Sequence, residues 1–236
     1  MHPFSCTQAH LCPQRLLDQP TNTQKGLSLT TNPRCHRQRT AKSGTHTVGY
    51  YDHHPTVDID KPFVITGFSG SRSHSVAHFL AAMTGLPLTD LDRQIEHHAG
   101  RSLALLQRED GPNAWRNIEA QLLIRALKES PPRLLAVGEG ALLHAKARKA
   151  AWKMAHVVYI RRPRPTLLAN IQQGLRQNPE RYPIFIDRYP QDVTALEPLL
   201  ATREPIYERA HTQLDVMDIQ PVEVARLLAS RLGWST

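Results

Sequence analysis

Apolar positions along this chain fall into two rhythms, and neither begins before about residue 60. Phe63, Val64 and Ile65 form a short continuous apolar run, the pattern of a strand buried on both faces. Gly67 and Gly70 interrupt it. From about His74 the period becomes that of a helix, with Val76, Phe79, Leu80 and Met83 on one side. Gly85-Leu86-Pro87 ends that helix, and Leu86 to Leu91 reads as a second short strand. Asp90 and Asp92 stand at its end, at a spacing that on a strand puts both side chains on one face. Short helices are predicted over Arg93–His98 and Leu103–Arg108, and a longer one over Asn113–Lys128. Leu134–Val137 and Val157–Ile160 read as buried strands, the first ending in Gly138-Glu139-Gly140. Helices follow over Pro165–Gln173, Leu196–Ala210 and Pro221–Leu232, with Gln213–Val216 as the last strand. Asn178–Pro190, rich in proline and charge, reads as a mobile loop. Strands alternating with helices predict an α/β fold whose parallel sheet is covered on both faces.

Residues 1–60 read differently. They are rich in Thr, Gln, His, Pro and Asn, poor in acid and without apolar periodicity. Such a segment cannot bury enough surface to offset its ordering entropy, so it is expected to be a disordered extension. Residues 61–236 are expected to form the folded domain. All three cysteines (Cys6, Cys12 and Cys35) lie in the extension, which leaves no disulfide framework for the body and points to a reducing, cytoplasmic setting. An organellar location is the alternative, if the basic, acid-poor extension is a transit peptide. No run reaches the ~18 apolar residues of a membrane helix. The formal net charge of +8 invites a nucleic-acid reading. Arginines are spread over the whole body and aromatics are scarce, so the charge is assigned to binding small anions and not nucleic acid.

Strand, glycine loop, helix is the layout of a phosphate-binding P-loop, whose working form is G-x-x-x-x-G-K-[ST]. Here Gly67, Gly70, Ser71 and Ser75 keep the frame, while Arg72 stands at the second glycine, Ser73 at the lysine and His74 at the hydroxyl residue.

The body resembles the shikimate kinase family over about residues 62–232. The resemblance rests on Asp90-Leu91-Asp92 with Ile95-Glu96, Trp115-Arg116 with Glu119, Gly138-Glu139-Gly140-Ala141, Arg181-Tyr182-Pro183, and Arg203-Glu204-Pro205-Ile206-Tyr207, in the family's order. It implies a three-layer P-loop NTPase-like fold with five parallel strands and a lid. It also implies Mg2+- and ATP-dependent phosphorylation of the 3-hydroxyl of shikimate. On that resemblance residues 67–75 hold the nucleotide and Asp90 supports the magnesium. Asp92 holds and orients substrate hydroxyls, Arg116 and Arg203 clamp the substrate carboxylate, and Gly138 and Gly140 leave room for its ring. Arg181 reaches over the phosphates as the lid closes.

Each departure from the family pattern has a chemical cost. The spacing from Gly67 to Asp90 is that of the intact pattern, so Ser73 and not Arg72 occupies the lysine position. A neutral hydroxyl there cannot neutralise phosphate, and removing one preorganised donor commonly costs ~10²–10³ in rate. Glu139 replaces the middle glycine of the substrate loop, bringing bulk and negative charge to a site meant for a carboxylate. His211 stands where the family usually has Asp. Three readings follow: an impaired shikimate kinase with weak ATP binding, a non-catalytic binding or regulatory relative, and a kinase for another small hydroxylated acceptor.

Overall fold

The chain divides into Met1–Tyr50 and Tyr51–Thr236. The computed structural model describes residues 60–185 and 188–234. The reading of residues 1–60 as an extension lies outside this range except for Asp60.

Five parallel strands form the centre: β1 (Phe63–Thr66), β2 (Leu88–Asp90), β3 (Leu134–Ala136), β4 (His156–Arg161) and β5 (Thr212–Asp215), in the order β2-β3-β1-β4-β5. Alternation along the strands splits the core. Val64, Leu135 and Val157 face one cluster, and Phe63, Ile65, Leu134, Ala136 and Val158 face the other. The second cluster is closed by α1 (Ser73–Thr84) and α8 (Pro221–Arg231). The first lies under α2 (Leu91–Ala99), α3 (Leu103–Glu109), α4 (Pro112–Ala126) and α5 (Ala145–Met154). A third cluster joins α6 (Arg164–Gln177) and α7 (Glu197–Tyr207) around Tyr159, Phe68 and Phe185.

Three sequence expectations change. Phe79, placed on the apolar face of α1, is 42% exposed, because α1 buries only the stripe through Val76, Ala77 and Leu80. Helix α5 has no counterpart among the predicted elements; its buried positions are Ala147 and Ala151, set among lysines and arginines, too weak a stripe to read. Asp90 and Asp92 do not share a strand face. Asp90 ends β2 and caps α2 by accepting from Arg93 N at 3.3 Å, while Asp92 lies in the first turn of that helix.

The register aligns Ile65 with Ala136 and Val158, and Asp90 with Ala136. The loops after β1, β2 and β3 therefore meet at one edge of the sheet, next to β1 where the strand order reverses, which is where open α/β sheets form their crevice. Of Asn178–Pro190, the expected lid, Arg181 to Ile184 line a cavity together with the loop after β1. A short 3-10 turn at Pro183–Phe185 is anchored by the buried Phe185.

Candidate active site

The loop between β1 and α1, the expected phosphate cradle, is closely packed against its neighbours. Gly70 (φ 82°) has no room for a side chain: a Cβ there would lie 2.5 Å from Leu167 O. A Cβ on Gly67 would lie 2.9 Å from Ile160 O. Arg72 is the lone non-glycine residue with positive φ among those described, at φ 61°, ψ 26°. It has taken over the glycine's left-handed backbone with a side chain attached, at a cost of about 1–2 kcal/mol. That side chain is directed at α6, where Nη2 donates to Asn170 Oδ1 at 2.9 Å and to Gln173 Oε1 at 3.2 Å. Asn170 Nδ2 in turn donates to Gly70 O at 2.8 Å. From the other side the buried Arg162 donates through Nε to Ser71 O at 2.9 Å. Ser73, at the lysine position, is buried at the start of α1.

Gly67 to Ser75, Asp92, Gly138, Glu139 and Arg181 all line one cavity of about 190 Å³. The sequence-predicted nucleotide residues, the orienting carboxylate, part of the substrate loop and the lid arginine are thus brought together. The aliphatic part of Arg181 packs on Gly174 of α6, where a Cβ would lie 2.9 Å from Arg181 Cδ. Asp90, Arg116, Gly140 and Arg203 are not among the residues that line it.

Histidines stand against the aspartates of the expected metal site. His74 Nε2 lies 3.2 Å from Asp92 Oδ2 and 3.8 Å from Asp90 Oδ1, and His78 Nε2 lies 3.1 Å from Asp90 Oδ2. Magnesium requires an octahedron of oxygen donors and is reluctant to lose water. With an imidazole between the aspartates, and both Asp90 oxygens engaged by His78 and Arg93, this donor set does not fit it. About a third of the Asp92 side chain is accessible within the recess. Burial nevertheless raises its pKa, with His74 opposing and Asp90 assisting. His78, spaced four residues from His74 on α1, was not singled out in the sequence, although that spacing beside an acidic pair is a readable signal.

On the substrate side Glu139 is embedded. Arg116 Nη2 donates to Glu139 Oε1 at 2.9 Å, and Arg203 Nη2 reaches the same oxygen at 3.2 Å. Arg203 Nε stands 2.7 Å from Glu139 Oε2 as an ion pair. Arg116 also donates through Nη1 to Glu119 Oε2 at 2.6 Å and stacks its guanidinium 3.7 Å over the Trp115 ring. The room at Gly140 is filled by that guanidinium, which a Cβ would overlap. Gly138 fits between Glu119 and Asp92, where a Cβ would lie 2.9 Å from Glu119 Oε1 and 3.1 Å from Asp92 Oδ1. Burial presses Arg116 towards neutrality, but Glu119 and Glu139 outweigh it and its pKa is raised. His211, at the family's Asp position, accepts from Val157 N at 2.9 Å through Nδ1 and so serves as a structural acceptor.

Burial drives Glu119 up to about 7 from an ordinary 4.5, with Arg116 opposing. Between those two values the folded state binds more protons than the unfolded one. The stability contributed by this group is therefore full below about 4.5, declines with rising pH and is gone above about 7. Urea unfolding across that window is expected to show wild type losing stability relative to Glu119→Gln as pH rises. A pH-independent difference would mean that Glu119 stays ionised throughout.

The family profile described as shikimate kinase matches residues 70–232. The shikimate kinase of Salinibacter ruber is 37% identical over 161 residues, covering 67% of this chain and 78% of that protein. That of Mycobacterium avium is 30% identical over 171 residues, covering 72% and 92%. In fold the chain is similar to shikimate kinase from Acinetobacter baumannii in complex with shikimate, with a TM-score of 0.63 and 23% identity over 73% of this chain and 93% of that one. It is similar also to the enzyme from Bacteroides thetaiotaomicron, with a TM-score of 0.63 and 19% identity over 73% and 98%. Matched by profile across most of the sheet and helices just described, and by relatives along most of their length, this chain belongs to the shikimate kinase family.

Proposed function

We propose that the protein is an impaired shikimate-kinase-like phosphotransferase. Its cavity takes ATP against residues 67–75 and a hydroxylated acceptor, shikimate or a similar acid by family, against Asp92 and Gly138. Transfer to the acceptor hydroxyl is then slow. The observation that carries this reading is the tip of the loop: Ser73 supplies no charge, and the neighbouring Arg72 guanidinium is bound to Asn170 and Gln173 of α6. Phosphoryl transfer relies almost wholly on positioning and on neutralising the phosphates. The positioning elements persist as backbone, as Asp92 for the attacking hydroxyl, and as Arg181 on the lid. The neutralising elements do not, and since the donor set does not suit magnesium no step is assigned to a metal.

The non-catalytic alternative, a binding or regulatory relative, is favoured by one observation. Both chemical ends of the site already face groups of the chain itself, the aspartates facing His74 and the arginines facing Glu139. Calorimetric titration with Mg·ATP and separately with shikimate, followed by a coupled phosphotransfer assay, tests both readings. Weak ATP binding with slow turnover is the expected result, and shikimate binding without any turnover would favour the alternative. Turnover at the ~1–100 s⁻¹ usual for kinases would remove both. The cytoplasmic setting belongs to the same proposal. Among the described residues no helix is long and apolar enough to cross a membrane.

A further inference from the structure

We propose that Glu139 is a built-in occupant of the acid clamp, and that the acceptor subsite consequently takes an uncharged hydroxylated ring or polyol in place of a hydroxy acid. The inference rests on reading the cavity as a nucleotide-and-acceptor pocket, departs from that reading in replacing the family's acid acceptor by a neutral one, and does not depend on how well the loop holds phosphate.

Both guanidiniums are engaged within the chain, mainly by carboxylates. Arg116 spends Nη1 on Glu119, Nη2 on Glu139 and its face on Trp115. Arg203 directs Nε and Nη2 at the two oxygens of Glu139, and its Nη1 donates to Leu199 O at 3.2 Å and Thr202 Oγ1 at 3.0 Å. A carboxylate gripped by two guanidiniums is the arrangement an acid ligand would make, and the ligand here is residue 139 itself. The charges of Arg116 and Arg203 face that of Glu139 and, above the Glu119 pKa of about 7, that of Glu119 as well. A second carboxylate entering this recess would bring an unpaired buried charge, which is strongly disfavoured.

Nor is Glu139 easily displaced. Its carbonyl accepts from the hydroxyl of the buried Tyr207, and the next residue, Gly140, is covered by Arg116. With the backbone pinned from both sides, only the side chain is free to turn. Its way out leads into the cavity that it already lines, into space an acceptor needs. A neutral acceptor avoids the conflict: its hydroxyls meet Asp92 and the carboxylate of Glu139 as acceptors, and its ring lies beside Gly138.

The test uses the full-length protein without nucleotide, so that the state of the phosphate loop does not enter. Wild type, Glu139→Gly and Glu139→Gln are titrated calorimetrically with shikimate and with its uncharged methyl ester. Wild type is expected to show no preference for the acid. Glu139→Gly is expected to prefer the acid by roughly 10²–10³-fold, the scale of exposing a buried charge partner. Glu139→Gln, which keeps the bulk and loses the charge, is expected to fall between. Wild type that binds neither ligand while Glu139→Gly gains shikimate also supports the clamp as occupied. A wild-type preference for the acid above roughly tenfold refutes the proposal. So does a Glu139→Gly protein that melts like wild type and gains no acid preference. Should the glycine variant not fold, the glutamine variant decides on the same criterion. A failed ATP titration with these outcomes intact would count against the phosphotransfer reading alone.

Discussion

The combined variant Arg72→Gly, Ser73→Lys and His74→Ser is expected to bind Mg·ATP at least ~10²-fold more tightly than wild type, as measured by calorimetry. Each change acts on something visible. Glycine enters at φ 61° without moving the backbone, removes about 1–2 kcal/mol of left-handed cost and releases Asn170 and Gln173 from the guanidinium. Lysine at residue 73 restores a cation at the start of α1, where the helix N-terminus already favours phosphate. Serine at residue 74 takes an imidazole out from between two aspartates and supplies a hydroxyl oxygen beside them. The lysine alone is expected to recover only part of the gain, because His74 would still stand against the aspartates. Unchanged ATP affinity in the triple variant would show that the residue aligned with the family lysine is not Ser73. Shikimate turnover is expected to stay low in this variant and to rise only when Glu139→Gly is added, since on the proposed reading the first changes act on the nucleotide and the second on the acceptor.

What could be read from the sequence divides along the same line. The β1–loop–α1 unit was legible because a buried apolar run, two glycines and a helical stripe are local signals. The sheet class followed from strand and helix alternation, and the order β2-β3-β1-β4-β5 accords with it. Helix α5 was not legible, because alanines among lysines carry too little hydrophobic contrast. At the site, sequence showed that Glu139 is the wrong residue for a substrate loop but not where its charge goes. That depends on Arg116 from α4 and Arg203 from α7 converging on one carboxylate, and sequence separations of 23 and 64 residues hide the contact. The glycines were read as room for a ring, whereas one of them makes room for a guanidinium. Asp90 and Asp92 were rightly placed at the end of a strand, but a helix cap and a first turn replace the shared face.

Arg162 had no signal at all, lying in the run Arg161-Arg162-Pro163-Arg164 that reads as a solvated basic stretch. It is 5% exposed, and Arg162→Met is expected to destabilise the protein by about 3–5 kcal/mol in urea unfolding. Its guanidinium donates to three backbone carbonyls: Ser71 at 2.9 Å, Met217 at 2.5 Å and Ile219 at 3.0 Å. It thereby ties the phosphate loop to the connection between β5 and α8. Methionine fills similar space and leaves those three acceptors without their donor, so the loss is one of hydrogen bonds to a charged group more than one of volume. Burial and the nearby Arg72 charge both lower the pKa of Arg162, so its charged form depends on its partners more than that of a surface arginine does. Arg162→Lys, a point charge without the planar fork, is expected to recover only a minor part of the stability. A loss below about 1 kcal/mol for the methionine variant would mean that water replaces the guanidinium without cost. On the proposed reading of the loop, Arg162 and Asn170, which hold the carbonyls of Ser71 and Gly70, are not the residues that would touch phosphate. These holding side chains lie outside residues 72–74, so on that reading substitution there alters the chemistry of the loop and leaves its backbone supported.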